Sequence, residues 1–322
     1  MSESQIWSVL GAHPPLRNVI DPSLEINCEL GEAPFYEEKS HTLRFVDIIK
    51  KKLHAVNLDK GPSSLKTLEL EDAVGFTTDI DDSEGGKILV GAKYGYATLD
   101  RLTGRLEYVK KIWSEEDGPE KGKRMRFDDG AVDSQGRVWG GAMNDPMSTD
   151  VTDEAVLFRL DPNMSLHRIL EKLTIPNGLG WSSDDKSMFF TDSPTKSIFK
   201  FDYDAETGKI SNRKEFFRLV GEAPGAAPDG LAIDVDGCVW TAIYGGGKVL
   251  RISPDGQVIG QVSLPTRCVT CPAFVGELLF VTSAEEEDPD AYPDSAKFAG
   301  SLFRVHVGVQ GQKLRRCQER SK

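Results

Sequence analysis

The sequence has no uninterrupted apolar run approaching the roughly 20 residues of a membrane-spanning helix. Its first residues, Met-Ser-Glu-Ser-Gln, carry neither the basic nor the apolar region of a secretory signal. Positive charge is scarce: 39 Lys and Arg stand against 51 Asp and Glu, for a net charge of -12. A surface of that sign disfavours nucleic acid and anionic membranes, whose phosphates call for a basic face. It does favour a bound cation. Cysteine is also sparse, with an odd count of 5 and no framework spacing, so a disulfide scaffold is not expected. Reduced thiols, and a final Glu-Arg-Ser-Lys that is no peroxisomal address, lead to the expectation of a cytoplasmic protein. The 5 histidines (His13, His41, His54, His167, His306) are scattered and show no metal-ligand spacing. No nucleophile-elbow serine accompanies them, which argues against a Ser-His-Asp hydrolase.

What the chain has in quantity is short apolar runs punctuated by Gly, Asp, Asn and Pro; helical periodicity is poor throughout. Hydrophobic residues at 39% and charged residues at 28% allow a sizeable packed core. One pattern recurs: an acidic or amide residue and a glycine, an apolar strand, a polar turn, and a second apolar strand. It begins at Asp129-Gly130, Asn177-Gly178 and Asp229-Gly230. The copies lie roughly 50 residues apart, a blade-like period. Further strand pairs occur at His41–Leu58, Gly75–Asp100 and Glu277–Val305, and a short alternating strand at Leu24 to Cys28 is expected to open the first unit. The expected fold is all-β: a six-bladed β-propeller of four-stranded antiparallel blades over residues 21–322. Residues 1–20 read as a leader held against it by Trp7 and Leu10. A two-sheet sandwich is the rival, and the internal repetition argues against it. Trp139, Trp181 and Trp240 recur at what read as equivalent core places. Two long insertions, Lys111 to Lys123 and the acidic Glu285 to Lys297, are expected as loops on an open face, the second as a candidate lid.

In a propeller the first strand of each blade lines the central channel, so residues at the strand heads face one another. Those heads carry Glu32, Thr77 or Thr78, Asp129, Asn177, Asp229 and the Cys271 region. Hard oxygen donors of this kind suit one divalent ion: Ca²⁺, Mg²⁺ or Mn²⁺, with Zn²⁺ and Fe²⁺ also accommodated. A single Asp-Gly is more simply a turn former; three copies at blade spacing favour the metal. Other signals have plainer readings. Cys268 and Cys271 form a C-x-x-C with no second pair and no nearby His, and read as packed thiols. Asp79 to Glu84 opens like a calcium loop but lacks its glycine and its twelfth-position carboxylate. Gly245-Gly246-Gly247-Lys248 lacks the spacing of a phosphate loop.

Leu30-Gly31-Glu32-Ala33-Pro34, Arg126-Phe127-Asp128-Asp129-Gly130, Pro176-Asn177-Gly178-Leu179, Pro228-Asp229-Gly230-Leu231, Val281-Thr282-Ser283-Ala284 and Gly300-Ser301-Leu302-Phe303 run in order along the chain. In this the sequence resembles the SMP-30/gluconolactonase/regucalcin family. The resemblance implies a propeller with one divalent metal held by Glu32, Asn177 and Asp229. It implies substrate contacts from Arg126 and from the position of Asp128, and hydrolysis of sugar lactones to aldonic acids. Asp229 is then the first choice of general base, with Asp129 or Asp128 second; Asp129 reads equally as a supporting or strand-capping group. The family often has Asn where this chain has Asp128. Asn144-Asp145-Pro146-Met147 does not reproduce a downstream glutamate of the family, so none is assigned. The alternatives are a metal-dependent phosphotriesterase or fluorophosphatase, and a non-catalytic calcium-binding regulatory propeller. The expected partner is a small sugar lactone, with no nucleic acid or membrane, on a monomer or weak homo-oligomer.

Overall fold

A computed structural model describes residues 7–8, 22–80 and 86–318. Leu10, and Asp81 to Glu84 of the acidic turn, lie outside the described residues. Among the described residues the strands form six antiparallel sheets. Each meets its neighbours along its first strand, in the order Gly31–Glu37, Val74–Thr78, Met125–Val132, Pro176–Trp181, Ala227–Ile233, Val269–Val275 and back to Gly31–Glu37. The ring is a six-bladed propeller. Its inner strands are almost wholly buried, while outer strands such as Lys209–Arg218 are mostly exposed.

Ring closure corrects one expectation. The early strand is Pro22–Leu24, not Leu24 to Cys28, and it belongs to the sixth blade, where Pro22 pairs with Phe303 of Leu302–His306. N-terminal chain thus completes the C-terminal sheet and ties the two ends of the ring together. Trp7–Ser8 adds a fifth strand to the fifth blade, Trp7 opposite Val262, so part of the expected leader is integral to a sheet.

The core lies in the seams between blades. Phe76, Tyr96, Phe127 and Phe158 are each 1% exposed or less and fill the seam of the second and third blades, with Tyr96 and Phe127 ring centroids 4.8 Å apart. The Tyr96 hydroxyl is satisfied by the Val138 carbonyl at 3.1 Å, as a buried phenol requires. A second device repeats with the blades. Asp133 accepts from the Trp139 indole at 3.0 Å, and Asp234 from the Trp240 indole at 2.9 Å. Each aspartate directly follows an inner strand, and each tryptophan sits six residues later on the second strand. Trp181 is not their equivalent: it closes an inner strand and packs edge-on against Trp139, centroids 5.7 Å apart.

Asp234 also accepts from the backbone N–H groups of Asp236 and Cys238 and from Arg251 Nε at 2.9 Å. Replacing it by Ala would strand several buried donors, each worth about 1–3 kcal/mol when left unsatisfied. Asp234→Ala is therefore expected to lower stability by about 3 kcal/mol, read as a reduced midpoint in urea unfolding with an unchanged slope.

The insertion after Lys111 carries two single turns, Glu115–Asp117 and Lys121–Arg124; the one after Ser283 carries Pro293–Ala296. Among the described residues no helix is long and apolar enough to cross a membrane. All five cysteines are buried, and none is in a disulfide.

Candidate functional site

Every inner strand named above breaks its pairing near its head. In the third blade the register jumps from Phe127 to Gly130, in the fourth from Pro176 to Leu179, in the fifth from Pro228 to Leu231. Each of these three breaks leaves two residues unpaired. The bulge re-aims those side chains out of the sheet, a common device beside functional sites. The first unpaired residue is Asp128, Asn177 or Asp229; the second is Asp129, Gly178 or Gly230. So Asp128, not Asp129, is the structural counterpart of Asn177 and Asp229, although the repeated Asp-Gly of the sequence aligns Asp129 with them.

The cavities follow this register. Glu32, Arg126, Asp128, Asn177 and Asp229 line one cavity of ≈ 750 Å³ at the strand heads. Asp129 lines a smaller one, ≈ 180 Å³, farther along the same strands, with Cys271 and with Gln312 and Arg315 of the C-terminal segment. Of the residues expected from the sequence, the structure brings five together and places Asp129 below them. The glycines permit the convergence. A Cβ on Gly178 would sit 2.6 Å from the Leu231 nitrogen, and one on Gly230 would sit 2.5 Å from Cys271 Sγ. Neither contact is tolerable, and the first is to backbone.

Glu32 and Asp229 are 5% and 7% exposed. Burial, then each other's neighbourhood of carboxylates, pushes both carboxyl groups well above their usual range; for Glu32 the foremost neighbour is Asp229, for Asp229 it is Asp128. Burial also pushes Asp129 up to about 7, although its carboxylate accepts from the Gly130 N–H at 2.6 Å. The Asn177 amide donates to Asp229, and its carbonyl accepts from the Gly178 N–H at 3.1 Å. Glu32 Oε2 accepts from the Ala33 N–H at 2.9 Å. Two buried carboxylates and an amide oxygen, acted on mainly by other negative charges, lack a compensating cation and have the donor chemistry of a hard divalent ion. The residues present fit such an ion.

Beside this acid cluster, Arg126 Nη1 donates to Asp128 Oδ1 at 2.7 Å and to the Phe127 carbonyl at 3.0 Å. Its Nε is buried without a partner. The acidic insertion expected on an open face brings Glu285, Glu286 and Glu287 to the lining of this cavity, which Lys196 also lines. Glu286 is anchored by Arg267 at 3.0 Å, and Glu287 accepts from the Tyr244 hydroxyl at 2.6 Å. These residues had no motif to mark them; only the position of their loop in the ring brings them to the mouth.

Outside the channel, the first blade gathers Cys28, Asp47 and His54, all buried, with one donor atom from each within 4.8 Å of the others. Along the chain no histidine has metal-ligand spacing. The Asp47/His54 proximity arises from hairpin register, Phe45 pairing with His54 two residues before Asp47.

Residues 30–285 match the family described as SMP-30/Gluconolactonase/LRE-like region. The chain is 34% identical over 302 residues to regucalcin of Oryctolagus cuniculus, covering 91% of this chain and 96% of that protein. Among solved structures it resembles a calcium-binding protein, regucalcin, of Agrobacterium tumefaciens, with a TM-score of 0.79 and 26% identity over 92% of this chain and 96% of that one. It resembles a luciferin-regenerating enzyme equally well, with a TM-score of 0.79 and 27% identity over 91% and 96%. The match covers most of the bulged strand heads and their cavity in one continuous span. The chain therefore belongs to the SMP-30/gluconolactonase/LRE-like family.

Proposed function

We propose that this protein is a metal-dependent hydrolase that opens sugar lactones to aldonic acids. The observation that carries the reading is the convergence of Glu32, Asn177 and Asp229 with the Arg126/Asp128 pair in one ≈ 750 Å³ cavity, a volume suited to a small ligand. Glu32, Asn177 and Asp229 would hold the ion, leaving positions open for water and substrate. When bound, the ion supplies Lewis acidity toward the lactone carbonyl and lowers the pKa of a bound water. Arg126 is fixed by Asp128 and lines the cavity, where its guanidinium would donate to a substrate oxygen, including the oxyanion that develops as water adds. Asp229 would take the proton of the attacking water. Asp128 accepts from Arg126 through one oxygen, which leaves the other to read a sugar hydroxyl.

A phosphotriesterase would call for an apolar rim; here the lining is mixed, with Ile49, Met143, Val151 and Ile175 beside Glu285, Glu286, Glu287 and Lys196, and it is the polar Arg126/Asp128 pair that favours a lactone bearing hydroxyls. A calcium-binding protein without turnover would need neither the Arg126/Asp128 pair nor open volume beside the acids. The test is a panel of aldonolactones assayed with metal-stripped protein re-supplied with single divalent ions. Turnover that appears only with metal supports the reading; specific ion binding without turnover on any lactone overturns it. Within that panel, Asp128→Asn is expected to change the ranking of substrates by about tenfold while leaving metal affinity near wild type. A uniform loss across all lactones that follows metal occupancy would refute that role.

A further inference from the structure

We propose that Cys28, Asp47 and His54 form a second metal site, within the first blade, for a borderline-soft divalent ion of the zinc class. It is independent of the lactonase reading. Cys28 lies on the segment that leads into Gly31–Glu37, Asp47 ends the strand Thr42–Asp47, and His54 lies on Lys52–Asn57. The three are 2%, 1% and 3% exposed.

The plain structural reading accounts for only part of the cluster. Asp47 caps a turn: its Oδ1 accepts from the Leu30 N–H at 3.2 Å and the Lys50 N–H at 3.1 Å, and its Oδ2 from the Glu29 N–H at 2.9 Å. Those bonds fix the carboxylate and leave Oδ2 with unused acceptor capacity. His54 stacks on Phe45, ring centroids 5.1 Å apart, and its Nδ1 is engaged with Thr67 Oγ1 at 2.9 Å. Its Nε2 is buried with no partner. An unmade hydrogen bond in such a place costs about 1–3 kcal/mol, so the orphan calls for a cause. The Cys28 thiol adds the third donor. Burial, then Asp47, pushes it up to about 12, so it is inert as a free thiol. A cation between the two reverses that balance and makes the sulfur a thiolate ligand.

The donor set selects the ion. Sulfur, imidazole nitrogen and one carboxylate suit Zn²⁺ and its analogues and are poor for Ca²⁺ or Mg²⁺, which prefer the all-oxygen site in the channel. Thiolate and carboxylate together neutralise the ion, so no net charge is buried. Tetrahedral Zn²⁺ places its ligand atoms about 3.5 Å apart. Binding therefore draws the three donors inward from their 4.8 Å limit.

The experiment uses the full chain, stripped of metal and titrated with Co²⁺ as a spectroscopic probe, then with Zn²⁺. Wild type and Glu32→Gln are expected to show thiolate-to-cobalt charge-transfer absorption in the near ultraviolet, and Cys28→Ser to lose it together with one molar equivalent of bound Zn²⁺. Circular dichroism of the metal-free variants reports folding. If Cys28→Ser folds poorly, His54→Phe, which retains the stacking on Phe45, carries the same comparison. Absence of the band in wild type at saturating Co²⁺ overturns the proposal. So does its persistence in the folded variant, which would assign it to another thiol.

Discussion

Glu32→Gln and Asp229→Asn are each expected to lower metal-supported lactone turnover by on the order of 10²–10³-fold, and chelation of wild type to do the same reversibly. The geometry gives the reason. Each carboxylate is nearly sealed from water, and the charges around it are mainly carboxylates, Asp128 and Asp129 among them. An amide in place of either carboxylate keeps the shape and removes half the anionic charge of the ligand set. The same substitution has an opposite effect on the empty protein. Without the ion, Glu32 and Asp229 repel each other in a desolvated channel, so metal-free Glu32→Gln should be more stable than metal-free wild type, by about 0.5–2 kcal/mol. Adding the ion should then raise the melting temperature of wild type far more than that of the variant. Activity lost and apo-stability gained in one substitution is a signature that general misfolding does not produce. Variants that retain wild-type kcat/KM and metal affinity would remove the basis for assigning these residues to the site.

The blades were legible because the sequence repeats a local solution: a glycine where strands approach closely, an apolar strand, a tight polar turn. Asn177 and Asp229 stand out because each opens such a repeat; Glu32 opens none, and it is the resemblance to the family that singles out the three as a ligand set. The roles of Asp128 and Asp129 could not be separated along the chain. They are adjacent and chemically identical, and the bulge between Phe127 and Gly130 sends them to different cavities. A change of one residue in register moves a side chain across the sheet, and only pairing with Val138–Asn144 sets that register. Pro22–Leu24 was misassigned for a related reason: its partner is nearly 280 residues away, opposite Phe303, and no local pattern records a closure of that span. His54 looked isolated because Cys28 and Asp47 reach it through register and through the chain's entry into the blade.

Arg44→Met is expected to cost about 3–5 kcal/mol, the largest stability effect of any single substitution considered. Arg44 is 0% exposed and links the first two blades. Its Nη1 donates to Glu37 at 2.7 Å and to Asp79 at 2.6 Å, and its Nε donates to Thr77 Oγ1 at 2.8 Å. The guanidinium lies over the Phe35 ring, 4.0 Å from its centroid. Methionine would fill much of the volume yet leave Glu37 to Arg101, Asp79 to the more distant Arg316 at 3.6 Å, and the Thr77 hydroxyl without its donor. The cost is that of the acceptors left behind more than of the bonds removed. Glu37 allows a separate check through pH. Burial alone would raise its carboxyl, but Arg44, helped by Arg101, outweighs burial and holds it below the usual glutamate value. A depressed folded-state pKa means that the unfolded chain takes up the proton first as pH falls. The stabilisation is fully present above the unfolded value and is lost as pH drops through the folded one. Glu37→Gln should therefore remove part of the wild-type decline in stability below about pH 4.5. Urea midpoints measured from pH 7 down to pH 3 should converge for wild type and Glu37→Gln at the acid end. Parallel curves across that range would show that Glu37 carries no proton linkage.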